Sequence, residues 1–326
     1  MSPPIPAPAG APALRGVLSP VLTPFNADGS PSAPRFVRHC RALLGQRVGL
    51  AAFGTNSEAN SLSLNEKRAL LDALLEAGLP PQRMMPGTGA CALPDTVELT
   101  RHAVTSGCAG VLMLPPFYYK GVSDEGLFRS FAQVIDAVGD ARLRVYLYHI
   151  PPVAQVGISF GLIARLLKRY PGVVAGIKDS SGDWQNTAGL LREFQPAGFD
   201  VFAGSETFLL RTLQGGGAGC ITATGNVNAA AIARLAAHWR DADATGQQQQ
   251  LDTTRAVFQR FPMIAAMKAA IAWQAGDPGW ANMRPPLVEL DAAQREDLQA
   301  SLAQIGFEIP DAVALALAAD EASGPA

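Results

Sequence analysis

Short apolar runs alternate with amphipathic helical patterns along most of this chain, and this alternation constrains the fold more than any other feature. Eight apolar runs of strand length are each followed by a helical pattern, at intervals of roughly 25–35 residues. Because parallel strands need crossover helices, this order predicts an α/β protein, a (β/α)8 TIM barrel with a C-terminal helical extension. The predicted strands are 16–25, 48–53, 83–86, 110–114, 143–150, 173–177, 201–203 and 219–223.

An open, doubly wound sheet is the competing arrangement, because it uses the same alternation. Its dinucleotide-binding form needs a G-x-G-x-x-G turn after the first strand and an acidic residue for the ribose, and the chain has neither in place. The barrel is therefore favoured. Residues 1–13 are rich in proline and alanine and are expected to be a disordered lead-in. The barrel core is expected over 14–228, and the last barrel helix with the C-terminal extension over 229–326.

The composition indicates a soluble protein of a reducing compartment. Of the 326 residues, 26 are lysine or arginine and 28 are aspartate or glutamate, so the formal charge of −2 gives no reason to expect nucleic acid or an acidic membrane as a partner. The N-terminus has no basic segment followed by an apolar one, and no apolar run is long enough to span a bilayer. The four scattered cysteines form no C-x-x-C pair, which suits free thiols. These features predict a cytoplasmic protein.

A lysine follows directly on the sixth predicted strand. Pro171 and Gly172 precede the apolar run 173–177, and Lys178 and Asp179 come where the strand leaves the core. In a barrel of this kind the active site lies at the carboxyl ends of the strands. Burial disfavours the ammonium form of a lysine, and a neutral amine can attack a carbonyl carbon and form a Schiff base. Position alone leaves open an alternative, which is an ion pair between Lys178 and Asp179 or another carboxylate.

The other predicted strand ends are rich in hydroxyl groups and poor in metal ligands. The four histidines have no metal-binding spacing, and no H-E-x-x-H motif occurs. A metal-dependent aldol mechanism is therefore disfavoured. The polar residues at these strand ends are Thr23, Thr55, Asn56, Ser57, Glu58, Thr88, Tyr118, Tyr119, Lys120, Tyr148, His149, Ser205, Glu206, Thr222, Thr224 and Asn226.

Lys178 and the hydroxyl groups of neighbouring strand ends form a coherent set for chemistry on a 2-oxo acid. Such chemistry needs an amine nucleophile, a group that moves protons, and donors for the carboxylate. Tyr148 can move the proton if its hydroxyl is hydrogen-bonded to another hydroxyl, such as that of Thr55. The backbone N–H groups of Gly54, Thr55 and Asn56 can hold the carboxylate.

Five motifs, in this order along the chain, resemble those of one enzyme family. Over residues 14–310 the sequence is similar to the dihydrodipicolinate synthase / N-acetylneuraminate lyase family of class I, Schiff-base-forming aldolases. Together the motifs are very specific for that family. They are GTNSEANSLS at 54–63, PPFYYKG at 115–121, YLYHIP at 146–151, GIKDSSGD at 176–183 and FAGSE at 202–206.

The resemblance implies a role for each matching residue. Lys178 would be the Schiff-base lysine, Tyr148 the proton-transfer tyrosine and Thr55 its relay hydroxyl. Tyr119 would cross a tight-dimer interface to the neighbouring subunit, whereas Tyr118 and Tyr119 taken alone indicate a packing or subunit-interface pair. The family implies a homotetramer, built as a dimer of dimers, and no metal or organic cofactor. The substrate-binding residues expected are Gly54, Asn56, Gly204, Ser205 and Thr222.

Two departures from the family pattern bear on the substrate. Asn56 and Ser57 stand where the family usually has a threonine and a glycine, so one hydroxyl is lost near the carboxylate. True dihydrodipicolinate synthases carry an arginine shortly after the proline of the tyrosine strand, which binds a second carboxylate. The matching residues 151–155 include no basic side chain, and an apolar one hardly replaces a bidentate arginine. This counts against aspartate semialdehyde as the second substrate.

The prediction is therefore a Schiff-base-forming lyase, an aldolase or synthase that acts on pyruvate or a related 2-oxo acid together with an aldehyde or sugar-acid substrate. Two enzymatic alternatives stay open: a 2-keto-3-deoxy sugar acid dehydratase, and an aldolase of the 4-hydroxy-2-oxoglutarate or sialic-acid type. An alternative from another class is a non-catalytic barrel that binds a keto acid. The presence of Lys178, Tyr148, Thr55 and Tyr119 together argues against it, because a scaffold would need none of them.

Overall fold

Seven β-strands and twelve α-helices make up residues 14–316, which this computed structural model describes. The predicted lead-in, residues 1–13, lies outside the described residues. The strands are β1 (Gly16–Ser19), β2 (Gly49–Leu50), β3 (Val111–Met113), β4 (Val145–His149), β5 (Val174–Asp179), β6 (Asp200–Ala203) and β7 (Gly219–Ile221). The helices are α1 (Ala33–Gly45), α2 (Leu64–Glu76), α3 (Leu93–Thr105), α4 (Asp124–Val138), α5 (Pro151–Ala154), α6 (Phe160–Arg169), α7 (Trp184–Phe194), α8 (Leu209–Gln214), α9 (Ala229–His238), α10 (Ala244–Gln259), α11 (Met263–Ala275) and α12 (Ala292–Gln304).

The chain divides into two compact units. Of the described residues, the first unit comprises 14–16 and 80–222, and the second comprises 17–79 and 223–316. The boundary predicted at residue 228 stays a prediction. Within residues 14–316, none of the helices is long and apolar enough to cross a membrane.

The first unit holds a parallel sheet in which neighbours in the chain are also neighbours in the sheet. Its order is β3, β4, β5, β6, β7. Helices α4, α6, α7 and α8 lie between consecutive strands in the chain and provide the crossovers that parallel pairing requires. Every residue of β3 and β4 is buried, which explains why these strands are almost continuous apolar runs. Because β4 and β5 are paired in parallel, their carboxyl ends lie side by side.

The second unit pairs β1 with β2 in parallel and has its own helical core. This core includes the fully buried side chains of Phe258, Met267, Ile271, Trp280 and Leu302. Helix α11 is apolar on nearly all sides apart from its one lysine, which is typical of a helix surrounded by other elements. The helices that follow the last strand, α9 to α12, all belong to this unit.

The main difference between the predicted and the observed elements is the third predicted strand, residues 83–86. Residues Pro81–Arg83 form a 3-10 turn, and Gly87 makes only an isolated bridge with Leu112 of β3. Two hydrogen bonds surround that bridge, from Leu112 N–H to the Pro86 carbonyl at 2.9 Å and from Thr88 N–H to the Leu112 carbonyl at 3.1 Å. Proline has no N–H to donate, so a regular ladder cannot form through this segment. The prediction of a strand over 83–86 is wrong in this respect.

His39 of α1 is a buried histidine of the second unit. Its Nε2 lies 3.0 Å from Oδ1 of Asn226, and its ring packs edge-on against Trp280 with centroids 5.2 Å apart. Burial lowers the pKa of His39 from 6.5 to about 4, although the hydrogen bond to Asn226 opposes this. The folded protein therefore holds His39 in its neutral form across the physiological range.

We expect His39 to make the protein less stable in mild acid. Below pH 6.5 the unfolded chain takes up a proton on this residue, whereas the folded chain does so only near pH 4. The free energy of unfolding should therefore fall by about 2 kcal/mol through His39 alone as the pH decreases from about 7 to about 5. Urea denaturation at the two pH values measures this change. His39→Gln should lose this pH dependence, whereas His238→Gln, at an exposed histidine, should retain it. If the free energy of unfolding of His39→Gln fell as steeply with pH as that of the natural chain, His39 would not be its source.

Candidate active site

Lys178 is carried by β5, and the sequence around this strand explains where the strand begins and ends. Gly172 forms the turn before the strand at a φ of 75°, a conformation that favours glycine. Ile177 is fully buried, and the ladder ends where the N–H of Ser180 donates to a carbonyl of β4 at 2.7 Å. The carboxylate of Asp183 then accepts from a backbone N–H at 2.8 Å and caps α7. Lys178 is thus the next-to-last residue of a buried strand.

Lys178 lies directly beside Tyr148 of β4. The two residues are paired in the register of the strands, and Nζ of Lys178 lies 4.2 Å from the centroid of the Tyr148 ring. Lys178 is 2% exposed and Tyr148 is 3% exposed, so bulk water has little access to the amine. Phe202 occupies the matching register position on β6, on the other side of Lys178. Strand pairing therefore brings the predicted Schiff-base lysine and the predicted proton-transfer tyrosine together.

The carboxylate of Asp179 is bound elsewhere and does not pair with Lys178. Its Oδ2 accepts from the Thr187 hydroxyl at 2.7 Å, and its Oδ1 accepts from the Ser181 N–H at 3.0 Å. Consecutive strand residues point to opposite faces, which separates the two side chains. Among the described residues of this unit, the Lys178 amine has no carboxylate partner. The ion-pair alternative with Asp179 is wrong, and the amine is available to a carbonyl carbon.

His149 lies on the face of β4 opposite to Tyr148. Its Nδ1 accepts from the Ile158 N–H at 2.9 Å, which places the proton of the neutral ring on Nε2. Burial lowers the pKa of His149, and the neighbouring Asp179 carboxylate opposes this only in part. His149 is therefore a neutral residue that supports the chain after β4. In the part of the chain that the structure describes, no three histidine, cysteine, aspartate or glutamate side chains are grouped as a metal ion would require.

Two of the predicted substrate-binding residues follow β6. Gly204 approaches the neighbouring backbone so closely that a Cβ there would lie 2.7 Å from the Asp179 carbonyl oxygen and 2.7 Å from the Ser180 Cα. Only glycine fits at this position. Ser205 is half-buried, accepts from the Thr207 N–H at 3.2 Å and shares a hydrogen bond of 2.8 Å with the Thr207 hydroxyl. Its side chain therefore caps the short turn that leads into α8.

Thr222, the residue after β7, is fully buried and bonded to Glu206. Its hydroxyl donates to Oε2 of Glu206 and accepts from the Glu206 N–H at 3.3 Å. Glu206 is itself only 1% exposed. The pair holds the residues after β6 and β7 together, which makes Thr222 a positioning residue in this unit.

Tyr118 and Tyr119 lie on the surface of the first unit. Each is 73% exposed, and their rings pack edge to face with centroids 5.3 Å apart. The loop that carries them is tied down by Lys120, whose Nζ donates to the Ala154 carbonyl at 2.8 Å. Adjacent exposed aromatic rings on a fixed loop are typical of contact surfaces. Tyr119 therefore has the exposure that its predicted interface role requires.

The other predicted binding residues belong to the second unit, in a tight turn that follows β2. Thr55–Ser57 is a single 3-10 turn, flanked by Phe53 and Glu58 at positive φ values of 62° and 54°. The Ser57 hydroxyl accepts from the Gly54 N–H at 3.1 Å, so the serine that replaces the usual glycine closes the turn. Non-glycine residues rarely adopt positive φ, and they cluster where the surroundings hold a functional backbone segment in place.

A buried ion pair anchors this turn. Oε1 of Glu58 accepts from Nζ of Lys268 in α11, and both side chains are fully buried. Lys268 also donates to the Asn282 carbonyl at 3.0 Å, and its Nζ lies 4.5 Å from the centroid of the Phe25 ring. Burial lowers the pKa of Lys268, and the Glu58 carboxylate opposes that effect. Thr55 and Asn56, by contrast, are half-buried at the tip of the turn.

The two bonded side-chain pairs that position these turns were not predicted from the sequence. Glu58 and Lys268 are 210 positions apart, and Glu206 and Thr222 are 16 apart. The one signal was the lysine inside the apolar sequence of α11, because a lysine is seldom fully buried unless it has a partner. The identity of that partner is not readable from the sequence.

A family model and two relatives match most of this chain. The model of the Dihydrodipicolinate synthetase family matches residues 13–305. The chain is 34% identical over 300 residues to an uncharacterized DapA-like lyase of Chloroflexus aurantiacus, a match that covers 89% of this chain and 97% of the relative. It is 30% identical over 297 residues to the putative 2-dehydro-3-deoxy-D-gluconate aldolase YagE of Escherichia coli, covering 89% and 96%.

Solved structures show the same fold. The crystal structure of dihydrodipicolinate synthase from Agrobacterium tumefaciens matches with a TM-score of 0.82 and 29% identity, over 89% of this chain and 99% of that one. The crystal structure of YagE in complex with pyruvate matches with a TM-score of 0.81 and 29% identity, over 90% and 98%. The predicted fold class, an α/β TIM barrel, is confirmed by these similarities.

Proposed function

The chain belongs to the dihydrodipicolinate synthetase family, as its motifs predicted, and we propose that this lyase forms a Schiff base between Lys178 and the carbonyl carbon of pyruvate or a related 2-oxo acid. The observation that supports the proposal most directly is the pairing of Lys178 with Tyr148. The amine is buried, lies 4.2 Å from the tyrosine ring and has no carboxylate partner among the described residues of its unit. A relative in the same family, YagE, has been crystallised with pyruvate.

The reaction would proceed by covalent catalysis. The Lys178 amine attacks the keto carbon, water leaves the carbinolamine, and the resulting iminium withdraws electrons from the neighbouring carbon. Loss of a proton from that carbon gives the enamine, whose carbon adds to the aldehyde carbonyl while the aldehyde oxygen takes up a proton. Water then hydrolyses the new iminium, which releases the product and restores the Lys178 amine; in the cleavage direction the same steps run in reverse. Tyr148 is proposed to carry the protons, because it is the hydroxyl-bearing side chain paired with Lys178.

The remaining roles rest on the family pattern. Thr55 is proposed as the relay hydroxyl for Tyr148. The N–H groups of the turn that begins at Gly54, together with Asn56, are proposed to bind the substrate carboxylate. The positive φ values at both ends of that turn support this assignment, because a backbone held in this conformation is preorganised.

Borohydride reduction tests the proposed intermediate. The protein is incubated with pyruvate and sodium borohydride, digested, and its peptides are identified by mass spectrometry. The expected result is a reduced pyruvate adduct on Lys178 that is absent when pyruvate is left out. A protein that stays folded and active towards another substrate while Lys178 remains unmodified would exclude pyruvate as the Schiff-base partner.

For the second substrate we propose a neutral, hydroxylated aldehyde. Cleavage of a 2-keto-3-deoxy sugar acid would release it together with pyruvate, and in the reverse direction it would add to the enamine of pyruvate. Residues 151–155 include no basic side chain that could bind a second carboxylate. Val153 stands in this stretch, in the short helix α5, and is 62% exposed. YagE, which is 30% identical over 297 residues, carries the name of a putative aldolase for such a sugar acid.

Substitution of Val153 tests this substrate assignment. We expect the natural chain to cleave a 2-keto-3-deoxy sugar acid and to use aspartate semialdehyde poorly. Val153→Arg should raise kcat/KM for aspartate semialdehyde about tenfold, because a guanidinium binds a carboxylate through two hydrogen bonds. Val153→Leu, the matched control, should leave both activities unchanged. Efficient use of aspartate semialdehyde by the natural chain would contradict the assignment.

The assembly proposed for the chain is a homotetramer, built as a dimer of dimers in the cytoplasm. The exposed ring pair of Tyr118 and Tyr119 supports a subunit contact on this loop. The four cysteines are all free, which suits a reducing compartment. Sedimentation of the purified protein measures the assembly, and a monomer at micromolar concentration would contradict it.

A further inference from the structure

The first unit contains a large cavity at the end of its sheet opposite to Lys178. The cavity has a volume of about 1190 Å³ and is lined at the amino ends of β4, β5 and β6 by Arg144, Val174 and Phe199, among others. Lys178, by contrast, lies near the carboxyl end of β5. No residue proposed above for catalysis or substrate binding lines this cavity. A cavity of this size can hold an organic molecule of metabolite size.

The walls of the cavity are mostly apolar. They come from the segments that precede β3, β4, β5 and β6 and from the helices before them. The apolar lining residues include Leu14, Val104, Leu167, Pro171, Val174 and Phe199. Such walls favour a ligand with an apolar body.

The inner end of the cavity is polar and rigid. Tyr146 is 2% exposed, and its ring lies between Gly110 and Gly176, where a Cβ on either glycine would come within 2.7 Å of it. The Tyr146 hydroxyl is hydrogen-bonded to the carboxylate of Asp200, which is 7% exposed. Burial raises the pKa of Asp200, and the nearby Arg15 and Tyr146 oppose that effect. The carboxylate is therefore satisfied by partners of the protein itself.

Positive charge is in excess around the cavity. Four arginines line it, Arg15, Arg83, Arg142 and Arg144, together with one aspartate, Asp200. Arg15 pairs with Asp200 at 3.2 Å, and Arg142 pairs with Asp140. Arg144 donates to two backbone carbonyls, at 2.8 and 3.2 Å, and has no carboxylate partner among the described residues. Its guanidinium charge is left uncompensated at the amino end of β4.

We propose that this cavity is a second binding site of the protein, for an organic anion with an apolar body and one carboxylate, sulfonate or phosphate group. The apolar walls would take up the body of the ligand. The guanidinium of Arg144 would bind its anionic group through charge-assisted hydrogen bonds. The charge of Asp200 is compensated by Arg15, and its carboxylate also accepts a hydrogen bond from Tyr146, so its repulsion of such a ligand is reduced.

A fluorescence titration with anilinonaphthalene sulfonate tests the site on the folded, full-length protein. The probe has an apolar aromatic body and one sulfonate. We expect one saturable site per chain, and we expect phenylnaphthylamine, the same body without the sulfonate, to bind at least about tenfold more weakly. Equal affinity for the two probes would show that the arginine is not used and would overturn the proposal.

Three variants locate the binding. Arg144→Glu removes the guanidinium, and Ala175→Phe fills part of the cavity. Each should weaken binding of the sulfonate about tenfold or more. Arg129→Glu, at a side chain 73% exposed on α4, is the charge-matched control and should leave it unchanged. Retention of the melting temperature of each variant shows that the fold is intact. Unchanged binding in both cavity variants, or complete displacement of the probe by pyruvate, would refute a separate site.

Discussion

Replacement of Lys178 by methionine is expected to lower kcat by at least about a thousandfold. Methionine has nearly the length and volume of the lysine stem but no amine, so it can pack beside Tyr148 without forming a Schiff base. Because Lys178 makes no ion pair with the described residues of its unit, its removal leaves no buried carboxylate unpaired. The melting temperature should therefore stay close to that of the natural chain while the borohydride-trapped adduct disappears. Steady-state kinetics, thermal unfolding and peptide mass spectrometry measure the three effects.

Two other lysines provide controls for this experiment. Lys168→Met, at an exposed residue of α6, should retain full activity and the adduct on Lys178. Lys268 is the other lysine with a fully buried side chain in an apolar setting, but it is bonded to Glu58. If the Lys178→Met protein kept more than a tenth of its activity, or if the adduct appeared on Lys268, the assignment of the nucleophile would be wrong.

Removal of either partner of the Glu58–Lys268 pair is expected to cost about 3–5 kcal/mol of the free energy of unfolding. Lys268→Met leaves the carboxylate of Glu58 without its buried cation, and Glu58→Gln leaves the ammonium without its carboxylate. A buried charge without a partner is far less favourable than a neutral group of the same shape. Urea denaturation of each variant at neutral pH measures the loss, which should shift the midpoint without a large change in slope.

The double variant Glu58→Gln/Lys268→Met makes the test specific. It removes both charges at once, so it should be clearly more stable than the sum of the two single losses predicts. Activity supplies a second measurement, because the pair anchors the turn that carries Thr55. If the two losses were simply additive, the pair would not be coupled and the anchoring of this turn would need another explanation.

Much of the proposed chemistry was predictable from the order of the chain. Parallel strands that follow each other become neighbours when helices connect them, so the carboxyl ends of the fifth and sixth predicted strands were expected to meet. The structure pairs Tyr148 with Lys178 at this edge.

Other features could not be predicted, and each has a physical reason. The strand expected at 83–86 becomes a turn followed by isolated bridge residues, because Pro86 cannot donate to a ladder and apolar content alone does not reveal this. The cavity at the amino ends of the strands is lined by Tyr146, whose ring fits only because Gly110 and Gly176 have no Cβ. No local sequence pattern shows which glycine leaves room for the ring of a residue far away in the chain.

The sequence by itself determined the α/β alternation, the family and the edge of the sheet where a lysine and a tyrosine would meet. These depend on the period of apolar residues and on short motifs, which are local properties of the chain. The tertiary structure alone decided which buried charge meets which partner, as with Glu58 and Lys268, and that Asp179 binds Thr187 rather than Lys178. Hydrogen bonds and buried ion pairs act over a few ångströms between residues that are often far apart in the chain, so only the folded backbone determines them.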